Sequence, residues 1–71
     1  MNIQPGMKVK IVSDDGTEGM FVNPQYIQNR KIGMTGIVKG WVPGHGGDVW
    51  FVEHDDNSVA VYCFTELKKI E

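Results

Sequence analysis

The sequence predicts an all-β domain: five short antiparallel strands in a small barrel, with a long first loop and a 3-10 turn before the last strand. Three observations carry this expectation. Met7-Lys8-Val9-Lys10-Ile11-Val12 alternates apolar and charged residues, the period-two pattern of a strand with one wet face. Gly33-Met34-Thr35-Gly36-Ile37-Val38-Lys39-Gly40-Trp41 reads as a glycine turn feeding a strand, because Ile, Val and Trp suit a pleated, half-buried surface. Asp55-Asp56-Asn57-Ser58 separates two further apolar runs and has the residue types of a tight turn.

Each element follows in chain order. Pro5-Gly6 is a turn signal that launches the first strand at Met7, and Ser13-Asp14-Asp15-Gly16 ends it. Residues 13–32 hold no sustained period and form the long first loop. Within it the apolar Met20-Phe21-Val22 needs cover, and Asn23-Pro24 marks a turn. Pro24–Gln28 suits a short helical turn, since proline is tolerated in the first turn of a helix. Tyr26 and Ile27 are placed to pack back on the sheet, whereas Gln28-Asn29-Arg30-Lys31 reads as exposed. The second strand runs from Thr35 to Val42, and Pro43-Gly44-His45-Gly46-Gly47 is a glycine-rich hairpin loop. Asp48–His54 is the third strand; its apolar centre, Val49-Trp50-Phe51-Val52, implies partial cover on both faces. Asn57 is the expected left-handed residue of the next turn, and Ser58–Tyr62 is the fourth strand. Cys63-Phe64-Thr65-Glu66 suits a 3-10 turn, and Leu67–Ile70 a final strand with Leu67 and Ile70 inward.

Seventy-one residues predict one domain, spanning 1–71, near the lower size limit for folding without staples. The single cysteine, Cys63, cannot form an intramolecular disulfide, and no cysteine–histidine cluster suggests structural zinc. The apolar fraction of 41% is that of a globular chain rather than a disordered one. A formal net charge of −2 counts against general nucleic-acid binding, which draws most of its affinity from phosphate neutralisation. No apolar run approaches the ~20 residues of a membrane span, and the first residues lack the layout of a signal peptide. The expectation is a cytoplasmic protein that neither enters nor spans a membrane.

The strand and turn pattern resembles the SH3-like barrels. The features that carry the likeness are Gly6-x-x-Val9-x-Ile11, Gly33-x-x-Gly36-x-Val38, Val52-Glu53-His54-Asp55-Asp56 and the tail Val61-Tyr62-x-x-x-x-Glu66-Leu67-x-x-Ile70. Within that superfold the chain is similar to small electron-transport accessory barrels: photosystem I subunit IV, the variable chain of ferredoxin–thioredoxin reductase, and the C-terminal barrel of the nitrile hydratase β chain. Asn23-Pro24-x-Tyr26-x-x-x-Arg30-Lys31-x-Gly33 resembles the Pro-x-Tyr-x-x-Gly-Lys-x-Gly segment of the last. Stand-alone phage and prophage products of this size are similar as well. The resemblance implies a supporting chain that docks on a larger partner, with no chemistry of its own. His54 is a departure, standing where such barrels usually carry an aromatic residue.

No nucleophile stands with a base and an orienting group at a recognisable spacing, so no catalytic residue is assigned. His45 and Asp48 are two ligand types on a loose loop and make no metal site; no metal or cofactor is expected. His54 reads as a rim residue bonded to the adjacent turn, Cys63 as a plain buried thiol. Asp14-Asp15 and Asp55-Asp56 read as turn formers rather than calcium ligands.

Not all of Trp41, Trp50, Phe51, Tyr26 and Tyr62 fit a core this small, and exposed aromatics favour protein partners. Tyr26 and Trp41 are expected to face outward across a groove between the first loop and the 43–47 hairpin. The leading expectation is thus a protein-binding or assembly module, monomeric or weakly dimeric, using Tyr26, Arg30, Lys31, Trp41, His45 and Trp50. The alternatives are nucleic-acid binding through Lys8, Lys10, Arg30, Lys31 and Lys39, or an accessory subunit of a multi-chain enzyme.

Overall fold

A computed structural model describes residues 3–13 and 22–70 of the chain. They form strands β1 (Lys8–Ile11), β2 (Thr35–Trp41), β3 (Val49–His54), β4 (Val59–Cys63) and β5 (Leu67–Lys69). A short helix, α1 (Pro24–Gln28), lies between β1 and β2, and a 3-10 turn (Phe64–Glu66) between β4 and β5. The strands make one antiparallel sheet in the order β4-β3-β2-β1-β5.

Alternation places the core. Val9 and Ile11 point inward from β1 while Lys8 and Lys10 point out. Val38, Val52, Ala60, Tyr62 and Leu67 join them with Ile3, and Met7, Trp50 and Phe64 pack on the rim of this cluster. A second cluster occupies the opposite face of the β3–β4 hairpin: Val42, Val49 and Val61, covered by Val22, Tyr26, Ile27 and Phe51. The unbroken apolar centre of β3 is thereby explained. Trp50 and Val52 serve one face, Val49 and Phe51 the other.

The second cluster exists because residues 22–28 fold back over the hairpin. Asn23 caps α1 through its side-chain oxygen, which accepts from the Gln25 N–H at 3.1 Å, and Pro24 starts the helix without a missing bond. Tyr26 then lies edge-on to Phe51, ring centroids 5.3 Å apart. Beyond the helix, the Asn29 side-chain amide donates to the Val59 carbonyl at 3.2 Å, which ties the segment to the outermost strand. The two ends of the strand order are managed differently. β4 is strapped by this segment, and β5 is three residues long with two lysines, a short charged edge that discourages pairing with other chains.

Two glycines are structural necessities. Gly33 sits at φ +87°, and its N–H donates to the Ile11 carbonyl at 2.8 Å, closing the long excursion onto β1. Gly36 faces His54 across the β2–β3 ladder; a Cβ there would come 2.5 Å from the Glu53 carbonyl oxygen and 2.9 Å from a Val52 methyl. Further along, the register shifts between Val38 and Gly40, and the resulting bulge sets Trp41 opposite Trp50. Asn57 is the left-handed residue of the β3–β4 turn, at φ +72°, as its position suggested.

Several expectations are corrected. Leu67 is buried but Ile70 is only half-buried, because β5 lies at the end of the sheet. Cys63 is half-buried rather than enclosed, since its strand position turns it away from the main core. The side chain of Arg30, read as exposed, is buried, and His54, read as a rim residue, is buried at 2% exposure. Met20, Phe21, Asp14 and Asp15 lie outside the described residues, as does most of the long first loop.

Candidate functional site

Three groupings of side chains have chemistry to offer. The first is the far end of the β2–β3 hairpin. Trp41 is 56% exposed and stands directly across from the half-buried Trp50. Directly opposed residues of an antiparallel pair share a face, so the two indoles form one aromatic surface on the side of the main core. The loop beside them turns on Gly44, Gly46 and Gly47, all at positive φ. His45 lies in this loop with Nδ1 3.1 Å from the Pro43 carbonyl; a carbonyl only accepts, so Nδ1 carries the proton.

The second grouping is a polar clasp where the strap, β3, β4 and two turns converge. Arg30 and Glu66 form an ion pair with both side chains 3% exposed. The Arg30 guanidinium lies over the Tyr62 ring, 5.0 Å from its centroid. The second Glu66 oxygen accepts from the Cys63 N–H at 2.8 Å, as a residue at this place in a capping box does. The Tyr62 hydroxyl accepts from the Lys31 N–H at 2.7 Å and lies 2.6 Å from His54 Nε2. His54 Nδ1 lies 3.0 Å from the Ser58 carbonyl and 2.9 Å from its hydroxyl.

These partners fix the protons. A carbonyl cannot donate, so His54 Nδ1–H donates to Ser58. Nε2 of the neutral ring then accepts from the Tyr62 hydroxyl. Burial holds the His54 pKa below its ordinary 6.5; the Ser58 carbonyl and Asp56 and Asp55 pull the other way, and Lys31 adds to the lowering. Ser58 donates its hydroxyl to Asp56 at 2.6 Å, and Asp56 also pairs with Lys31. The Lys31 hydrogen bond, then those from Ser58, keep the Asp56 carboxyl well below the usual carboxylate range. Asp55 accepts from the Thr35 hydroxyl. Asp56 therefore serves the turn, while Asp55 ties the turn to β2.

The third grouping is cationic. The chain has seven lysines and arginines. Arg30, Lys31 and Lys39 pair with Glu66, Asp56 and Glu53, the last at 3.5 Å. Lys8, Lys10, Lys68 and Lys69 make no ion pair with a described residue, and all four stand on the neighbouring strands β1 and β5.

The candidate residues are thus divided. Trp41, Trp50 and His45 share the hairpin end, but Tyr26 packs on Phe51, across the sheet from the two indoles. Tyr26 and the indole pair thus stand on opposite faces of the sheet, and most of the loop expected to flank a groove between them lies outside the described residues. Arg30 and Lys31 belong to the clasp; Arg30 has no free surface to offer, and Lys31 is half-exposed in its pair with Asp56. Lys8 and Lys10 are exposed as expected, while Lys39 is engaged by Glu53. Sequence reasoning passed over Glu66 and Lys68. A lone acid between Phe64 and Leu67 was the available signal for the first, and the β1–β5 register for the second.

No cluster of three or more potential metal ligands occurs among the described residues. No described helix is long and apolar enough to cross a membrane. The chain matches no protein-family model, no curated protein and no solved structure.

Proposed function

We propose that this protein is a non-catalytic protein-binding or assembly module that docks on a larger partner through the β2–β3 hairpin end. The observation that carries the reading is the exposure of Trp41 beside Trp50. A tryptophan held mostly in water on an ordered strand is a large apolar surface kept out of the core, and tryptophan is the residue type most enriched among binding hot spots. Trp50, packed against the main cluster, stands directly across the ladder from Trp41, and a surface carried on paired strands would order little on docking. His45 and the glycine turns line the approach.

The proposal includes a sheet that curls into an SH3-like barrel. The strand order β4-β3-β2-β1-β5 and the 3-10 turn between β4 and β5 support this, and a cytoplasmic setting accords with the single thiol. Fold likeness alone does not give a job, so the test addresses the surface. Tagged wild type and Trp41→Ala are used to capture proteins from lysate at high salt. Wild type should retain a partner that Trp41→Ala loses while its melting temperature holds. Equal capture by both proteins would place binding elsewhere.

A further inference from the structure

We infer that the outer face of the β1–β5 strand pair binds the phosphate backbone of duplex nucleic acid, without sequence preference, through Lys8, Lys10 and Lys68. This surface is independent of the one containing Trp41.

The distribution of charge carries the inference. Three of the seven cations pair with carboxylates, and the other four, which make no ion pair with a described residue, are segregated on two adjacent strands. Lys10 and Lys68 are direct cross-strand partners, so their Cβ atoms lie about 4.5–5.5 Å apart on one face. Like charges directly opposed destabilise a sheet. Lys8 follows Lys10 on that face at a spacing of about 6.6 Å, two residues of strand rise. Lys69 pairs with Val9 and so falls to the other side of the ladder. Guarding a free edge explains lysines on β5 but not on β1, which is interior to the sheet, between β2 and β5. Among the described residues the carboxylates nearest in register are Glu53, which pairs with Lys39, and Asp55, which keeps its charge while accepting from the Thr35 hydroxyl.

The chemistry of the face selects the ligand. Ammonium groups act on phosphate as point charges, whereas planar recognition of a carboxylate is the work of arginine. The chain's single arginine is enclosed with Glu66. No aromatic residue stands on β1 or β5, so bases have nothing to stack on, as single-strand binding requires. What remains is a row of point charges suited to a regular phosphate backbone. The net charge of −2 does not prevent this, because at about 0.1 M salt a charge is felt over only ~10 Å.

Fluorescence anisotropy with a short labelled DNA duplex tests the proposal. Three phosphate contacts give a log–log salt slope of about −2.7, or roughly a 40-fold loss of affinity between 50 and 200 mM salt. The triple variant Lys8→Gln, Lys10→Gln, Lys68→Gln should lose both the binding and the slope while keeping the wild-type circular dichroism spectrum. Lys39→Gln and Trp41→Ala should bind as wild type does. The inference is overturned if wild type does not bind at 50 mM salt, if the folded triple variant still binds, or if polyglutamate competes as well as unlabelled duplex.

Discussion

His54 and Tyr62 meet edge to face, ring centroids 5.7 Å apart, with the tyrosine hydroxyl 2.6 Å from His54 Nε2. The hydroxyl has one proton and gives it to the imidazole, while the Lys31 N–H fills one of its lone pairs. Through this single oxygen β3, β4 and the strap leading into β2 are joined. Protonated His54 would turn an N–H toward Tyr62, so that one hydrogen bond would have to reverse and the tyrosine proton would have to find another acceptor.

Acid should therefore weaken the fold in two separate steps. The His54 pKa is lowered on folding, so the unfolded chain takes up a proton first. Stability is full above the unfolded value near 6.5 and falls with decreasing pH until the folded group also titrates. Asp56 is depressed too, but as an acid; its contribution is present above the usual carboxylate range and fades only below about pH 4. Urea midpoints taken from pH 7.5 to 5 should decline in wild type and flatten in His54→Gln. A wild-type midpoint constant across that window would contradict the assignment of His54.

Removing one member of the Arg30–Glu66 pair should cost far more than removing the charge from both. Arg30→Met strands a buried carboxylate, a change worth about 3–5 kcal/mol. That rivals the whole net stability expected of a chain this small. Glu66→Gln together with Arg30→Met keeps a carbonyl oxygen for the Cys63 N–H and leaves no buried charge. Chemical denaturation of the single and double variants should show the double to be the more stable of the Arg30→Met pair.

Gly36→Ala should be among the most damaging small substitutions. Its methyl would meet the Glu53 carbonyl and a Val52 methyl, both part of the β2–β3 ladder and the main core. Overpacking of this kind costs about 1–3 kcal/mol. Gly40→Ala, where no atom lies within 4 Å of the added carbon, is the internal comparison and should cost less. Thermal melts of both variants decide it.

Trp41→Ala should leave stability nearly unchanged, because the ring is largely in water, whereas Tyr26→Ala should lower it by loss of the contacts to Phe51. The ordering of the two melting temperatures separates a surface anchor from a packing residue. If Trp41→Ala unfolded first, the exposed indole would be structural.

Local chemistry was legible where it was decided locally. The alternation of Lys8, Val9, Lys10 and Ile11, the Asn23-Pro24 helix start and the left-handed Asn57 each depend on neighbours within a few residues. The clasp was not legible, because Arg30 is polar among polar neighbours until Glu66, 36 residues away, is brought beside it. Tyr26 misled for a related reason. A five-residue helix is too short to display a period, so the face it buries emerges only when it lies on Phe51 and Val61. Trp41 could be read as exposed, but its partner could not. The bulge after Val38 decides which residue it opposes.

The two-sided burial of the β3–β4 hairpin implies an order in which amide hydrogens reach solvent. Opening β5 disturbs one three-residue ladder, and lifting α1 uncovers only the second cluster. Freeing the backbone of Val52 or Ala60, which face each other in the β3–β4 ladder, means dissolving the cover on both sides of the hairpin. Those amides should exchange only through global unfolding, so their protection reports the stability of the whole domain, while Lys68 and Gln28 exchange through smaller openings. The hairpin is the part of the molecule that comes apart last.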